Sequence, residues 1–134
     1  MPALEICVVG LGYIGLPTAS LLATRGHRVH GVDVTQRVVD TINRGEIHIT
    51  EPDLDVLVRA AVASGNLKAA VEPREADVFI LAVPTPHHAD YKPDITYVEA
   101  SARAVARWRS PRSTLVPALW YRRALPDSSD RSRL

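Results

Sequence analysis

The stretch Leu4 to Val9 has the β-branched content of a buried strand, and it runs without a spacer into Gly10-x-Gly12-x-x-Gly15. A helical pattern follows, with Leu16, Ala19, Leu22 and Ala23 on one stripe. Strand, glycine turn and helix in that order form the dinucleotide-binding fingerprint. Each glycine has a separate duty. Gly10 permits the tight turn, Gly12 lets a pyrophosphate approach the backbone, and Gly15 lets helix and strand pack closely. The free N–H groups of the first helical turn, near Tyr13 and Ile14, are then expected to face the phosphates with the helix dipole behind them.

The surroundings of the motif agree with it. A second strand, Arg28 to Val32, ends at Asp33, 23 residues after Gly10. An acid about 20 residues beyond the first glycine can accept hydrogen bonds from the adenosine ribose hydroxyls. Its charge would repel a 2′-phosphate, so NAD is the expected cofactor rather than NADP. Arg37 could hold such a phosphate, but beside Asp33 it reads as a solvated arginine on a helix face.

With 134 residues the chain has room for one domain with a substantial core. A net charge of +1 gives no reason to expect nucleic acid as a partner. The amino terminus shows neither a signal-peptide pattern nor an apolar run of spanning length, so no membrane association is expected. The lone Cys7, placed mid-strand, reads as core filling and cannot form a disulfide within the chain. A reducing cytoplasm is the expected setting.

Further along, the second helix is expected over about Gln36 to Asn43, ended by Gly45. Ile47 to Ile49 reads as an extended linker. Thr50-Glu51-Pro52-Asp53 resembles a helix start, with Thr50 as the cap and Pro52 in the first turn. That third helix carries Leu54, Leu57, Val58, Ala61 and Val62 and stops at Gly65. Strands follow at Leu67 to Val71 and Val78 to Val83, the second broken by Pro84-Thr85-Pro86 where ligands sit in open α/β sheets. Thr96-x-x-Glu99 is a capping box that opens a fourth helix. The fold class is therefore α/β, a Rossmann-type doubly wound parallel sheet. It is expected to be incomplete at its carboxyl-terminal side.

Gly-Tyr-Ile-Gly-Leu-Pro at 12–17, Asp33, Asn43-Arg44-Gly45, Glu51-Pro52-Asp53-Leu54, Val83-Pro84-Thr85-Pro86 and Pro93-Asp94 together closely resemble the amino-terminal domain of nucleotide-sugar dehydrogenases. That family, the UDP-glucose/GDP-mannose dehydrogenases, includes enzymes of UDP-glucose and of UDP-N-acetyl-D-mannosamine. The run Val39 to Ile49 looks like the mannosamine branch, which feeds surface polysaccharide synthesis; the UDP-glucose branch shares every cofactor motif present. The resemblance spans residues 4 to about 106. It implies NAD contacts at Tyr13, Ile14, Asp33 and Thr85, beside the motif glycines Gly10, Gly12 and Gly15.

Members of the family oxidise a sugar C6 alcohol to a carboxylate in two NAD-dependent steps, through a thiohemiacetal and a thioester on a cysteine. A lysine and a second nucleotide-binding domain complete their site, and the full-length proteins are oligomers. None of the catalytic groups maps onto this chain, which has no cysteine after Cys7. The resemblance thus implies the NAD-binding portion of such an enzyme, inactive alone, with a UDP-sugar bound only by the full-length protein. A free-standing NAD-binding module without catalysis is the alternative.

Charge divides the chain. Residues 1–106 hold nine Lys/Arg against thirteen Asp/Glu, whereas 107–134 hold seven Arg against two Asp. The family's next strand, ending in Glu-Ser-Thr, is missing from this second stretch. Two accounts stand: a reading frame lost near Ala106, leaving 107–134 as a frame-shifted or disordered tail, or a divergent in-frame fifth strand over 114–119. The joint change of composition, charge and period favours the first. His87, His88 and Asp90 lack a well-spaced third ligand and read as a solvated loop, so no metal is expected. His27, His30 and His48 read as structural or exposed.

Overall fold

The computed structural model describes residues 2–83 and 96–117. Its first strand, β1 (Glu5–Val9), explains the layering of everything else. Successive side chains of a strand point to opposite faces, and here Ile6, Cys7, Val8 and Val9 are all buried. A strand covered on both sides must lie inside a sheet with layers above and below it. Two further strands, β2 (Arg28–Val32) and β4 (Val78–Leu81), flank it, and β3 (Leu67–Ala70) and β5 (Thr114–Pro117) form the edges. The order is β3-β2-β1-β4-β5 and every neighbouring pair is parallel. The chain builds outward from β1 on one side and then returns to its other side. That reversal between β1 and β4 is the switch point at which open α/β sheets bind ligands.

Helices α1 (Gly15–Thr24), α2 (Gln36–Asn43) and α3 (Leu54–Ala63) share one core cluster with the sheet. Leu16, Ala19 and Ala23 of α1, Val39 and Ile42 of α2, and Val58 and Ala61 of α3 meet Ile6, Val8, Val29 and Leu67 there. The opposite layer is α4 (Thr96–Ala106), whose Val105 lies with Cys7, Val9, Phe79 and Leu81. Each fully buried Leu or Phe contributes about 1.5–3 kcal/mol. Ion pairs as exposed as Arg28 with Glu5 contribute under about 1 kcal/mol, so apolar burial decides the layering. Beyond the reach of α4, the same sheet face turns polar. Arg28 and Lys68 are exposed there, and the half-buried His30 donates from Nε2 to the Glu72 carbonyl at 2.8 Å.

Element limits differ from the sequence expectation in instructive places. Tyr13 and Ile14 lie in the turn before α1 rather than inside it. The Leu16 N–H reaches the Gly12 carbonyl at 3.1 Å, but Pro17 has no N–H to give the Tyr13 carbonyl, and the unbroken ladder begins with Thr18 on Ile14. Thr50 does not cap α3. The segment 51–53 forms a turn in which Leu54 N–H reaches the Glu51 carbonyl, and Asp53 occupies the N-cap in a left-handed conformation, φ 63°. Aspartate is among the few non-glycine residues that adopt this region readily. It makes no side-chain cap bond there.

Strand β4 ends at Leu81 rather than Val83, and β3 at Ala70 rather than Val71. Past Ala106, Trp108 and Leu115 join the α4-side core, and Thr114–Pro117 pairs residue for residue with Val78–Leu81. Among the described residues the sheet therefore includes a fifth strand, Thr114–Pro117. Among the described residues no helix is long and apolar enough to cross a membrane.

The free edge of β3 is covered by a side chain. Asn43 donates from Nδ2 to the Ala69 carbonyl at 2.9 Å, and its Oδ1 accepts the Ala69 N–H at 2.8 Å. Its amide stands in for the next strand, satisfying two backbone groups that a sheet edge leaves open. Replacing Asn43→Ala is expected to destabilise the protein by about 2 kcal/mol, the loss of two such bonds. Urea denaturation followed by far-UV circular dichroism checks this; an unchanged midpoint would show that the edge needs no cover.

Candidate functional site: a glycine turn and its carboxylate

At the switch point the chain leaves β1 through Gly10, whose φ of 95° is open to glycine but strained for other residues. The turn hangs between both neighbouring strands. Gly10 N–H donates to the Val32 carbonyl at 2.7 Å, while Ala82 N–H donates to the Val9 carbonyl at 2.8 Å. A Cβ at Gly10 would stand 2.6 Å from the Ala82 carbonyl oxygen, and one at Gly15 would stand 1.6 Å from the Gly10 carbonyl oxygen. These two glycines are therefore demanded by backbone lying on backbone.

Gly12 is different. A Cβ there would meet no protein atom within 4 Å. No protein atom limits a side chain at this point, and the space beside Gly12 is open. Tyr13 follows, 58 % exposed, and then the half-buried Ile14 at the N-cap of α1. The helix has no side-chain cap bond and no acid in its first turn. Its leading N–H groups have no partner within the helix and are suited to an anion.

Asp33 closes the site from the end of β2. Its Oδ2 accepts the Leu11 N–H at 3.2 Å and its Oδ1 accepts the Thr35 N–H at 3.0 Å. A residue 22 positions from Leu11 is thus tied directly to the glycine turn. The carboxylate is half-buried and held in one orientation beside the open space at Gly12. A phosphate-bearing ligand with an adjacent diol fits these donors and this acceptor, as a dinucleotide requires. The structure brings Gly10, Gly12, Tyr13, Ile14, Gly15 and Asp33 to one end of the sheet. Thr85, His87, His88 and Asp90 lie outside the described residues. Arg37 is exposed on α2.

The role of Leu11 was not legible in the sequence, where it is simply the variable residue between two glycines. Its side chain is fully buried while its N–H holds Asp33. His27 is structural, its Nδ1 accepting the Leu4 N–H at 3.1 Å. Among the described residues no three His, Cys, Asp or Glu side chains cluster as metal ligands. Cys7 is fully buried, and burial pushes its thiol from the ordinary 9.0 up to about 11, against a smaller lowering by a hydrogen bond from the Arg74 backbone.

Residues 4–117 match the NAD binding domain of the UDP-glucose/GDP-mannose dehydrogenase family. Over 101 residues, 75 % of this chain, the sequence is 62 % identical to the NDP-N-acetyl-D-galactosaminuronic acid dehydrogenase of Ralstonia nicotianae. Over the same span it is 58 % identical to the UDP-N-acetyl-D-mannosamine dehydrogenase of Escherichia coli. Both matches cover 24 % of the relative, so the chain spans about a quarter of their length. Among solved structures, the UDP-N-acetyl-mannosamine dehydrogenase of Staphylococcus aureus superposes with a TM-score of 0.82 at 38 % identity, over 84 % of this chain and 28 % of that one.

Two outcomes test the geometry. Gly12→Val is expected to leave the melting temperature nearly unchanged and to abolish NAD binding, whereas Gly15→Val should fail to fold. Thermal melts with a cofactor titration decide, and full NAD affinity in folded Gly12→Val would contradict the assignment of the open space.

Cys7 supplies the second test. The folded thiol holds its proton to higher pH than the unfolded one. Unfolding therefore releases a proton between pH 9 and 11, and stability falls as pH rises through that window, by up to about 1.4 kcal/mol per pH unit. Cys7→Ala should flatten this alkaline loss in a pH series of denaturant midpoints; an equally steep loss in the variant would assign it elsewhere. With residues 4–117 matching the family model and the parallel sheet superposing on a solved relative, the chain belongs to the UDP-glucose/GDP-mannose dehydrogenase family and matches its NAD-binding domain.

Proposed function

We propose that this chain is the cofactor-holding portion of an enzyme that oxidises the C6 alcohol of UDP-N-acetyl-D-mannosamine to the uronate, and that it is inactive by itself. The observation that carries the reading is the tie between Asp33 and the glycine turn at Leu11. On this reading the N–H groups of Tyr13 and Ile14 bind the pyrophosphate, Gly12 gives it room, and Asp33 accepts the adenosine ribose hydroxyls. Thr85, which follows β4 in the sequence, adds a further contact. NAD, when bound, supplies the hydride acceptor. Hydride transfer also needs the sugar held against the nicotinamide, and that duty falls to the remaining three-quarters of the longer relatives. The family's cysteine nucleophile belongs there too, since Cys7 is buried in the core and keeps its proton.

The choice of sugar rests on the run Val39 to Ile49 and on the relatives named for UDP-N-acetyl-D-mannosamine, which are 53–58 % identical. The relative at 62 % carries a different sugar in its name. Both matches cover the cofactor-binding quarter, where the residues assigned above read the dinucleotide and not the sugar. For the end of the chain, we take the reading frame to be lost near Ala106, on the joint change of composition and charge there. The pairing of β5 and the family match to residue 117 support the in-frame alternative. Reading the nucleotide sequence beyond codon 106 in all frames separates them.

Calorimetric titration tests the cofactor reading. The chain should bind NAD more tightly than NADP, and neither NAD nor UDP-N-acetyl-D-mannosamine should be turned over. Asp33→Ala should weaken NAD roughly ten- to a hundredfold, for about 1.5–3 kcal/mol of charge-assisted hydrogen bonding, and narrow the gap to NADP. Equal affinity for both cofactors in the unaltered chain would overturn the reading.

A further inference from the structure

A glycine inside a central strand is unfavourable unless something approaches it closely. Gly31 sits mid-way along β2, beside Val8 of β1 and Ala69 of β3. Its backbone is not among those with positive φ, so conformation does not call for glycine. Space does. A Cβ at Gly31 would stand 2.9 Å from Leu11 Cδ2, 3.0 Å from Cδ1 and 3.5 Å from Cγ. The isobutyl group of Leu11 is seated on the bare backbone of Gly31.

Leu11 has little freedom to move from that seat. Its side chain is fully buried in the larger core cluster. On one side Gly10 is anchored by its bond to the Val32 carbonyl, and on the other the Gly12 carbonyl holds the first turn of α1. Between these anchors the Leu11 N–H holds Asp33 Oδ2. A displacement of the Leu11 side chain therefore shifts the donor that aims the carboxylate.

We propose that Gly31 and Leu11 are positioning residues for cofactor choice: the seat at Gly31 sets Leu11, and the Leu11 N–H sets the Asp33 carboxylate against the ribose. This rests on the NAD-binding reading above. Neither residue touches the cofactor through its side chain. Their effect appears in the ratio of NAD to NADP affinity, because an Asp33 turned away loses the ribose hydroxyls and relaxes its repulsion of a 2′-phosphate. Loss of overall stability would weaken both cofactors alike and leave the ratio where it was.

A double-mutant cycle on the 134-residue chain tests the coupling, with NAD and NADP affinities as the readout. Gly31→Ala overfills the seat and Leu11→Val underfills it, so each alone should narrow the ratio, roughly three- to tenfold, the range of couplings between touching residues. The double variant refills the seat and should recover most of the original ratio. If Gly31→Ala does not fold, Leu11→Val carries the test by the same readout, since it draws the branch back to Cβ and removes a carbon from the contact at Gly31. A normal NAD preference in the parent with ratios unchanged in the folded variants, or no recovery in the double variant, overturns the proposal.

Should the parent bind neither cofactor, the NAD reading fails and amide hydrogen exchange decides this one separately. Selective loss of protection at the Leu11 N–H in Leu11→Val, with Val8 and Val9 still protected, supports the seat; retained protection at Leu11 refutes it.

Discussion

Everything at the ligand end of this domain depends on two stretches of backbone lying against each other without side chains between them. The Gly10 carbonyl and the α-carbon of Gly15 are so close that a methyl group could not be placed between them. This contact brings the start of α1 onto the end of β1. It directs the first-turn N–H groups outward at the switch point, where the sheet order reverses. A helix set further from the strand by even one side chain would carry its N-terminus away from Asp33 and from the open space at Gly12. The three glycines of the motif thus divide into two that build the turn and one that leaves room beside it.

The carboxylate partner is assembled by a different logic. Asp33 lies on β2, and its orientation is set by N–H groups from two places, Leu11 in the glycine turn and Thr35 just after the strand. Charge-assisted bonds of this type are stronger than neutral ones and hold the acceptor before any ligand arrives. The residues that make such an arrangement stiff are apolar: Leu11 beneath the turn, and Val32, whose carbonyl takes the Gly10 N–H. Recognition chemistry and core formation share the same few residues, so a conservative change in the core can alter what the surface reads.

The layers also explain how a chain that spans about a quarter of its relatives' length encloses a core. β1 is covered on both faces by elements of the same chain, α1 to α3 on one side and α4, distant in sequence, on the other. The core therefore closes around the central strands only when remote segments come together. The edges are where the chain depends on small devices, such as the Asn43 amide along β3 and the short β5 ending at Pro117, which has no N–H to donate.

The sequence by itself determined the strand–turn–helix unit, the positions of β2 and α2, the placement of Asp33 and the parallel α/β class. Each of these is written in local periodicity or in glycines whose backbone duties are local. It also located the glycine turn, since Gly10, Gly12 and Gly15 lie within six residues of one another. Only the tertiary structure decided that Thr50 does not cap α3, because the turn at Glu51 to Asp53 competes with the cap and prevails. It alone decided that Asn43 serves as a substitute strand for Ala69, 26 residues away, and that Gly31 is bare because Leu11 fills its place. These contacts join residues remote in sequence, and no local pattern of hydrophobicity records which distant atom occupies a given space.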